Sequence, residues 1–332
     1  MGWVACVHHR QTGALMYKLS ILALVLAGCM ETGLQGSPSD VAGLETLDTG
    51  GFATVDGDPV NEDEGDDALP PEQPSEDVPP HEEPPVEQEP PPEDDCDHTS
   101  DLVYVIDRAD DALYLFNPET MDFEILGEID CGMFAGSPSS MSVARDGIAY
   151  VRYTDNTVYA VDLDTLECTE TAYGGGGFGA FGMGFATDSD TTWRDTLYIA
   201  NDNQLARMDT ATWSVSPMGS LPSQSELTGN ADGELWAILP LEEPAQLVRL
   251  NKDTAAVEHT LHMTAMPDPY TIDAFAFATW GGDFWVFIRT YGMGHSTDVY
   301  RVTSTGHTTR VAVDTGMDVV GAGVSTCAPT GA

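Results

Sequence analysis

Beyond residue 100 the apolar and polar positions alternate in short runs broken by Gly, Asp, Asn and Pro, as in Leu102-Val-Tyr-Val-Ile106, Ile148-Ala-Tyr-Val151 and Asp283-Phe-Trp-Val-Phe287. A two-residue period puts successive side chains on opposite faces of a strand, and no stretch carries a helical apolar period. The runs therefore predict an all-β domain. They also repeat in register. An aromatic residue recurs inside one strand, as Tyr104, Tyr150, Tyr198, Trp236 and Trp285, at intervals of 46, 48, 38 and 49 residues. After the next strand comes a turn: Asn117-Pro-Glu-Thr120, Asp162-Leu-Asp-Thr165, Asp209-Thr-Ala-Thr212 and Asn251-Lys-Asp-Thr254, with Thr303-Ser-Thr-Gly306 as a divergent fifth. Asp or Asn opens such a turn because its side-chain oxygen accepts hydrogen bonds from backbone N–H groups further along. A third column, an Asp or Gly pair, precedes the aromatic strand at Asp146-Gly147, Asp232-Gly233 and Gly282-Asp283.

Units of roughly 45 residues with four short strands cannot bury both faces alone, and stacking them around an axis solves this. On these three columns the region 98–332 resembles β-propellers as a class. The resemblance implies about five four-stranded blades after a disordered linker. The C-terminal Val320-Gly-Ala-Gly-Val-Ser-Thr326 is an inner strand without a blade of its own. It is expected to pair with the first blade, begun at Asp101, and close the ring. The Trp-Asp, Kelch and Asp-box patterns of named propeller families are missing, so no family's activity carries over. An irregular β-sandwich is the alternative fold.

Upstream the pattern differs. From Met16 the chain runs Met-Tyr-Lys, then the apolar stretch Leu19 to Ala27, then Gly28-Cys29. These are the basic, hydrophobic and small-residue regions of a secretory signal. The apolar stretch is too short for a spanning helix, which needs roughly 20 residues. Leu26-Ala27-Gly28-Cys29 resembles the lipobox of bacterial lipoproteins. The resemblance implies that residues 1–28 are removed and that Cys29 becomes a lipidated N-terminus held in the membrane by several acyl chains. With Met30 and not Asp behind the cysteine, it also implies delivery to the outer membrane or cell surface. Whether translation starts at Met1 or Met16 stays open. Residues 29–97 are acidic and proline-rich, with Pro79-Pro80-His81-Glu82-Glu83-Pro84-Pro85 and Pro90-Pro91-Pro92. Few apolar side chains and much like charge leave the ordering entropy uncompensated, which predicts a disordered, extended spacer.

Charge narrows the partners. Twelve Lys and Arg against 55 Asp and Glu give −43, a field that excludes nucleic acid. Residues 101–332 contribute 10 − 33 = −23 of this, which favours a soluble, monomeric domain. Six cysteines are present. With Cys6 lost and Cys29 lipidated, Cys96, Cys131, Cys168 and Cys327 remain in an oxidising compartment, and two disulfides are expected. Cys96 precedes the first blade and Cys327 ends the last inner strand, so that pair would lock the ring. Cys131 with Cys168 follows by elimination and looks awkward, because Cys131 ends one outer strand and Cys168 starts the next. A zinc site would need closer cysteine spacing.

In a propeller the loops between second and third strands share a face with those entering each inner strand, so distant residues converge there. Two sets are candidates. The glycine-rich loop Gly174 to Met183, with Phe178, Phe181 and Met183, joined by Met133, Phe134, Tyr270, Met293 and His295, would make an apolar, aromatic ligand pocket. The bland alternative is that the glycines only permit a tight crossing and the rings fill the channel. Asp107, Asp110, Asp111, Asp155 and Asp202, with Asn156, Asn201 and Asn203, offer hard oxygen ligands for calcium, although turns demand the same residue types. His259 and His262 lie three apart in a strand and point to opposite faces. No nucleophile-His-Asp order, phosphate loop or paired-carboxylate spacing is recognisable. The expected function is a noncatalytic binding or scaffold module at the envelope, with an envelope protein or extracellular polymer as partner. The alternatives are a propeller hydrolase or lyase on polysaccharide or peptide, marked by a His converging with two carboxylates, or a structural envelope protein.

Overall fold

The computed structural model describes residues 102–132, 136–175, 177–189, 194–292 and 294–331. The expected signal segment, Cys29 and the expected linker to residue 97 lie outside them. Within them the alternating runs become twenty strands in five antiparallel four-stranded sheets, a β-propeller. The first blade holds β1 (Val103–Asp107), β2 (Ala112–Phe116) and β3 (Phe123–Glu128). The second holds β4 (Pro138–Val143), β5 (Ile148–Tyr153), β6 (Val158–Asp162) and β7 (Cys168–Glu170). The third holds β8 (Gly182–Thr187), β9 (Asp195–Ala200), β10 (Gln204–Met208) and β11 (Val215–Ser220). The fourth holds β12 (Glu226–Gly229), β13 (Leu235–Leu239), β14 (Gln246–Leu250) and β15 (Val257–His262). The fifth holds β16 (Ile272–Trp280), β17 (Asp283–Thr290), β18 (Asp298–Val302) and β19 (Thr308–Ala312).

The closing strand is β20 (Val319–Gly323), which starts one residue earlier and ends three earlier than the sequence expectation. It pairs antiparallel with β1, Tyr104 opposite Gly323, and supplies the first blade's innermost strand. The inner strands β20, β4, β8, β12 and β16 touch in cyclic order. They come so close that side chains are not tolerated everywhere: a Cβ on Gly184 would sit 2.6 Å from the Leu227 carbonyl carbon, and one on Gly323 2.9 Å from the Val143 nitrogen. Small residues in these strands are thus what lets five sheets meet at one axis.

The hydrophobic clusters among the described residues lie between blades. One joins Ile106 and Leu113 to Met141 and Val151, another joins Phe116 to Trp285 and Phe287, and a third joins Trp236 and Ile238 to Phe277 and Val286. The aromatic column falls in the second strand of every blade and faces these seams. Trp236 meets Phe284 at 4.8 Å and Trp285 meets Phe116 at 5.5 Å. The turn column follows each third strand. Asn117, Asp162, Asp209 and Asn251 each accept the N–H groups two and three residues on, at 2.8–3.3 Å. The residue after the Thr, namely Met121, Leu166, Trp213 or Ala255, takes a left-handed φ of 59–66°. Its N–H returns to the first residue's carbonyl at 2.6–2.9 Å.

Cys131 and Cys168 are bonded, with Cα atoms 5.1 Å apart. The expected awkwardness disappears because strands in a sheet rotate by roughly 20–25° each, so the end of outer strand β3 swings toward the next blade's turn. Leu166 of that turn packs over Gly127 of β3. Cys327 is disulfide-bonded, and Cys96, its expected partner, lies outside the described residues.

Candidate functional site

Where inner strands begin and second strands end, the blades leave a concave mouth on the ring axis. The larger part is a cleft of 440 Å³. Its rim carries Leu241 after β13, Tyr291 after β17, and Tyr270, held in a short 3-10 turn (Pro269–Thr271) whose preceding Asp268 accepts the Tyr270 N–H at 2.9 Å. Tyr270 and Tyr291 are 89% and 63% exposed. One wall is an ion network at the seam of the fifth and first blades. Arg108 reaches Asp318 at 3.1 Å and Asp273 at 3.3 Å, while Arg289 reaches Asp318 at 3.3 Å and also pairs with Asp273. Two cations and two anions balance, so this wall is rigid and nearly neutral.

A second cavity of 280 Å³ shares Ser139, Thr154, Gln224 and Glu226 with the cleft and ends on Arg152 and Phe181. Glu226 opens β12 and is buried. Ser140 Oγ donates to its Oε2 at 2.7 Å, a bond from the second blade to the fourth that spans the channel. Burial pushes the Glu226 carboxyl up to about 8, against the hydrogen bonds from Ser140 and the Met183 backbone and the more distant charge of Arg152. The group is therefore protonated at neutral pH. Arg152, in β5, lies over the Phe181 ring at 5.3 Å, and burial pulls its guanidinium below the usual value. Tyr173 meets the edge of the same ring at 5.6 Å, and burial raises its phenol.

The sequence candidates divide. Phe181 and Tyr270 reach the mouth. Phe178 and Met183 are buried in the cluster between the second and third blades, where they support the glycine loop without lining the cleft. His295 is exposed and hydrogen-bonds Thr290 Oγ1 at 3.1 Å. Met133, Phe134 and Met293 lie outside the described residues. The acidic candidates are scattered. Asp107 is buried with its oxygens accepting the Ala109 and Asp318 N–H groups at 2.6 and 2.8 Å, and burial raises its carboxyl. Asp110 accepts the Tyr114 hydroxyl at 2.7 Å, Asp111 takes a left-handed φ of 51°, and Asp155 accepts the Thr157 N–H at 2.9 Å. Asp202 sits in the exposed hairpin between β9 and β10. Among the described residues no three His, Cys, Asp or Glu gather as a metal would need. Arg152, Glu226, Ser139, Gln224 and Tyr291 were not singled out from the sequence. The available signal was an Arg inside the apolar run Ile148-Ala-Tyr-Val-Arg-Tyr153, one of only ten basic residues past residue 100.

Among the described residues no helix is long and apolar enough to cross a membrane. No family of known proteins matches the sequence, and no curated protein does. Among the solved structures that resemble part of the chain are two of low similarity. One is an auxiliary nutrient binding protein from Bacteroides thetaiotaomicron, at 12% identity and a TM-score of 0.38 over 64% of this chain and 57% of that one. The other is dihydro-heme d1 dehydrogenase NirN, at 15% identity and a TM-score of 0.30 over 64% of this chain and 43% of that one. The chain thus spans about half the length of these two proteins.

Proposed function

We propose that this protein is a lipid-anchored binding module of the bacterial envelope, held by Cys29 and presenting the propeller's channel mouth to a ligand outside the membrane. The observation that carries the reading is where apolar surface is left open. Six large hydrophobic side chains are exposed among the described residues, and three of them, Leu241, Tyr270 and Tyr291, line the same 440 Å³ cleft. A soluble domain scatters such residues singly, so a group of them on a concave polar floor marks a place something covers. Two exposed rings over a polar floor suit a ligand with a flat or ring-shaped apolar part. Anchoring rests on Leu26-Ala27-Gly28-Cys29, and the acidic, proline-rich linker would carry the propeller clear of the lipid surface.

Two measurements test the two halves. Cys29→Ser should move the expressed protein from the detergent phase to the aqueous phase, and unchanged partitioning would reject the anchor. Cell-wall fragments and extracellular polysaccharide fractions should be retained by the wild-type propeller and released by Tyr270→Ala/Tyr291→Ala. Retention that survives both substitutions, or that never occurs, would reject the cleft as the binding site.

A further inference from the structure

Arg152 is 4% exposed, yet its charge has no carboxylate partner. Nη1 donates to Ser139 Oγ at 2.5 Å and Nη2 to Asn156 Oδ1 at 2.8 Å, both neutral, while Nε is buried with no partner at all. Glu226 and Asp155 act on it only through space, without an ion pair, and do not offset its burial. Glu226 is engaged by Ser140 and the Met183 backbone. Asp155 is exposed and occupied by Thr157, and the Tyr173 hydroxyl is itself buried without a partner. A desolvated cation lacking a counter-ion is costly. Seven other arginines of this domain are paired: Arg108, Arg145, Arg207, Arg249, Arg289, Arg301 and Arg310 all meet Asp or Glu.

We propose that Arg152 anchors an inner subsite that takes one carboxylate of a small, ring-bearing ligand whose ring lies against Tyr270 and Tyr291 at the mouth. The proposal rests on reading the cleft as a binding site and deepens it. The Arg152 cavity adjoins the cleft across four shared lining residues, so a ligand at the rim lies beside the cavity that the guanidinium lines. A planar guanidinium with a free N–H suits a carboxylate, and Phe181 beneath it fixes its plane. Thr154 Oγ1 already accepts the Ser137 N–H at 3.0 Å, so its own hydrogen is left to donate. A single charge is favoured because one guanidinium offsets one anion, while the domain's balance of 10 − 33 = −23 opposes any further negative charge.

The test is a protein-observed NMR titration of the mature chain, with Cys29→Ser to keep it in solution. The probes are D-glucuronate and benzoate, with glucose and benzyl alcohol as neutral counterparts, and a tripeptide with a free or amidated C-terminus. The carboxylates should bind roughly tenfold or more tightly than their counterparts. Arg152→Met should remove that preference. Arg152→Lys, which keeps the charge, should retain part of it and serves if the Met variant does not fold. Preference for glucuronate would identify a sugar acid, and preference for the free tripeptide a chain end. Equal binding of charged and neutral probes, or a preference untouched in both variants, overturns the proposal. If neutral probes still bind and Tyr270→Ala weakens them, the cleft reading stands without it. If no probe at millimolar concentration perturbs the cleft, both fall.

Discussion

Burying Glu226 costs more than its neighbours return: one hydroxyl, one backbone N–H and a distant guanidinium leave its carboxyl titrating at about 8 and not near 4.5. The folded state therefore holds a proton that the unfolded chain releases. The contribution to stability is fully present below 4.5 and is lost as pH rises through 8. Each pKa unit is worth about 1.4 kcal/mol, so the loss amounts to several kcal/mol. Glu226→Gln keeps the shape and stays neutral. Urea unfolding should find the variant close to wild type at about pH 5 and clearly more stable at about pH 9. Parallel curves for the two proteins would mean that another group governs the alkaline limb. Asp162 and Asp209 work in the opposite direction, since hydrogen bonds from Thr165 and Thr212 hold their carboxyls below the ordinary value. Their turns lose support as pH falls through those lowered values, so wild type has a stability maximum between the two limbs.

The elements most legible in the sequence were those whose chemistry is local. The aromatic second strand, the Asn or Asp turn and the orphan closing strand each declare themselves within a few residues, and each stands where the columns put it. The mouth was legible only in part, because it is assembled across the ring. Ser139 and Arg152 belong to the second blade and Glu226 to the fourth, and no spacing rule links residue 140 to residue 226 until the inner strands pack. The side chains of Phe178 and Met183, pocket candidates from the sequence, pack into the seam of the second and third blades, as the tight-crossing alternative has it. Two substitutions probe the elements themselves. Gly184→Ala would drive a Cβ into the Leu227–Thr228 backbone, which cannot move without displacing β12, and should cost about 3 kcal/mol, at the upper end of overpacking. Cys131→Ser/Cys168→Ser opens a bridge of sequence separation 37, for which loop-closure entropy gives about 4 kcal/mol. Denaturant midpoints report both losses, and a near-neutral result for the glycine would show that the inner strands are looser than drawn.

At the scale of the whole molecule the ring is held by one strand contributed from the far end of the chain. β20 gives β1 its inner neighbour, and the bonds beside it reinforce the junction: Arg108 and Arg289 grip Asp318, and Asp107 accepts the Asp318 N–H at 2.8 Å. These ion pairs are partly exposed, so Asp318→Asn should cost only about 1 kcal/mol and leave a cooperative monomer. Ending the chain after Met317 is a different operation. It strips β1 of its inner partner, breaks the cycle of contacts that runs from β16 through β20 to β4, and uncovers Val103, Val105 and Met141, all wholly buried in the closed ring. An unpaired edge next to newly exposed apolar surface invites pairing with another chain. The shortened chain should therefore lose its single sharp unfolding transition and elute as oligomers, while Asp318→Asn elutes as wild type does. A shortened chain that stays monomeric with an unchanged midpoint would show that the four remaining complete blades hold the ring by face packing alone, and that the closing strand fixes only the shape of the mouth.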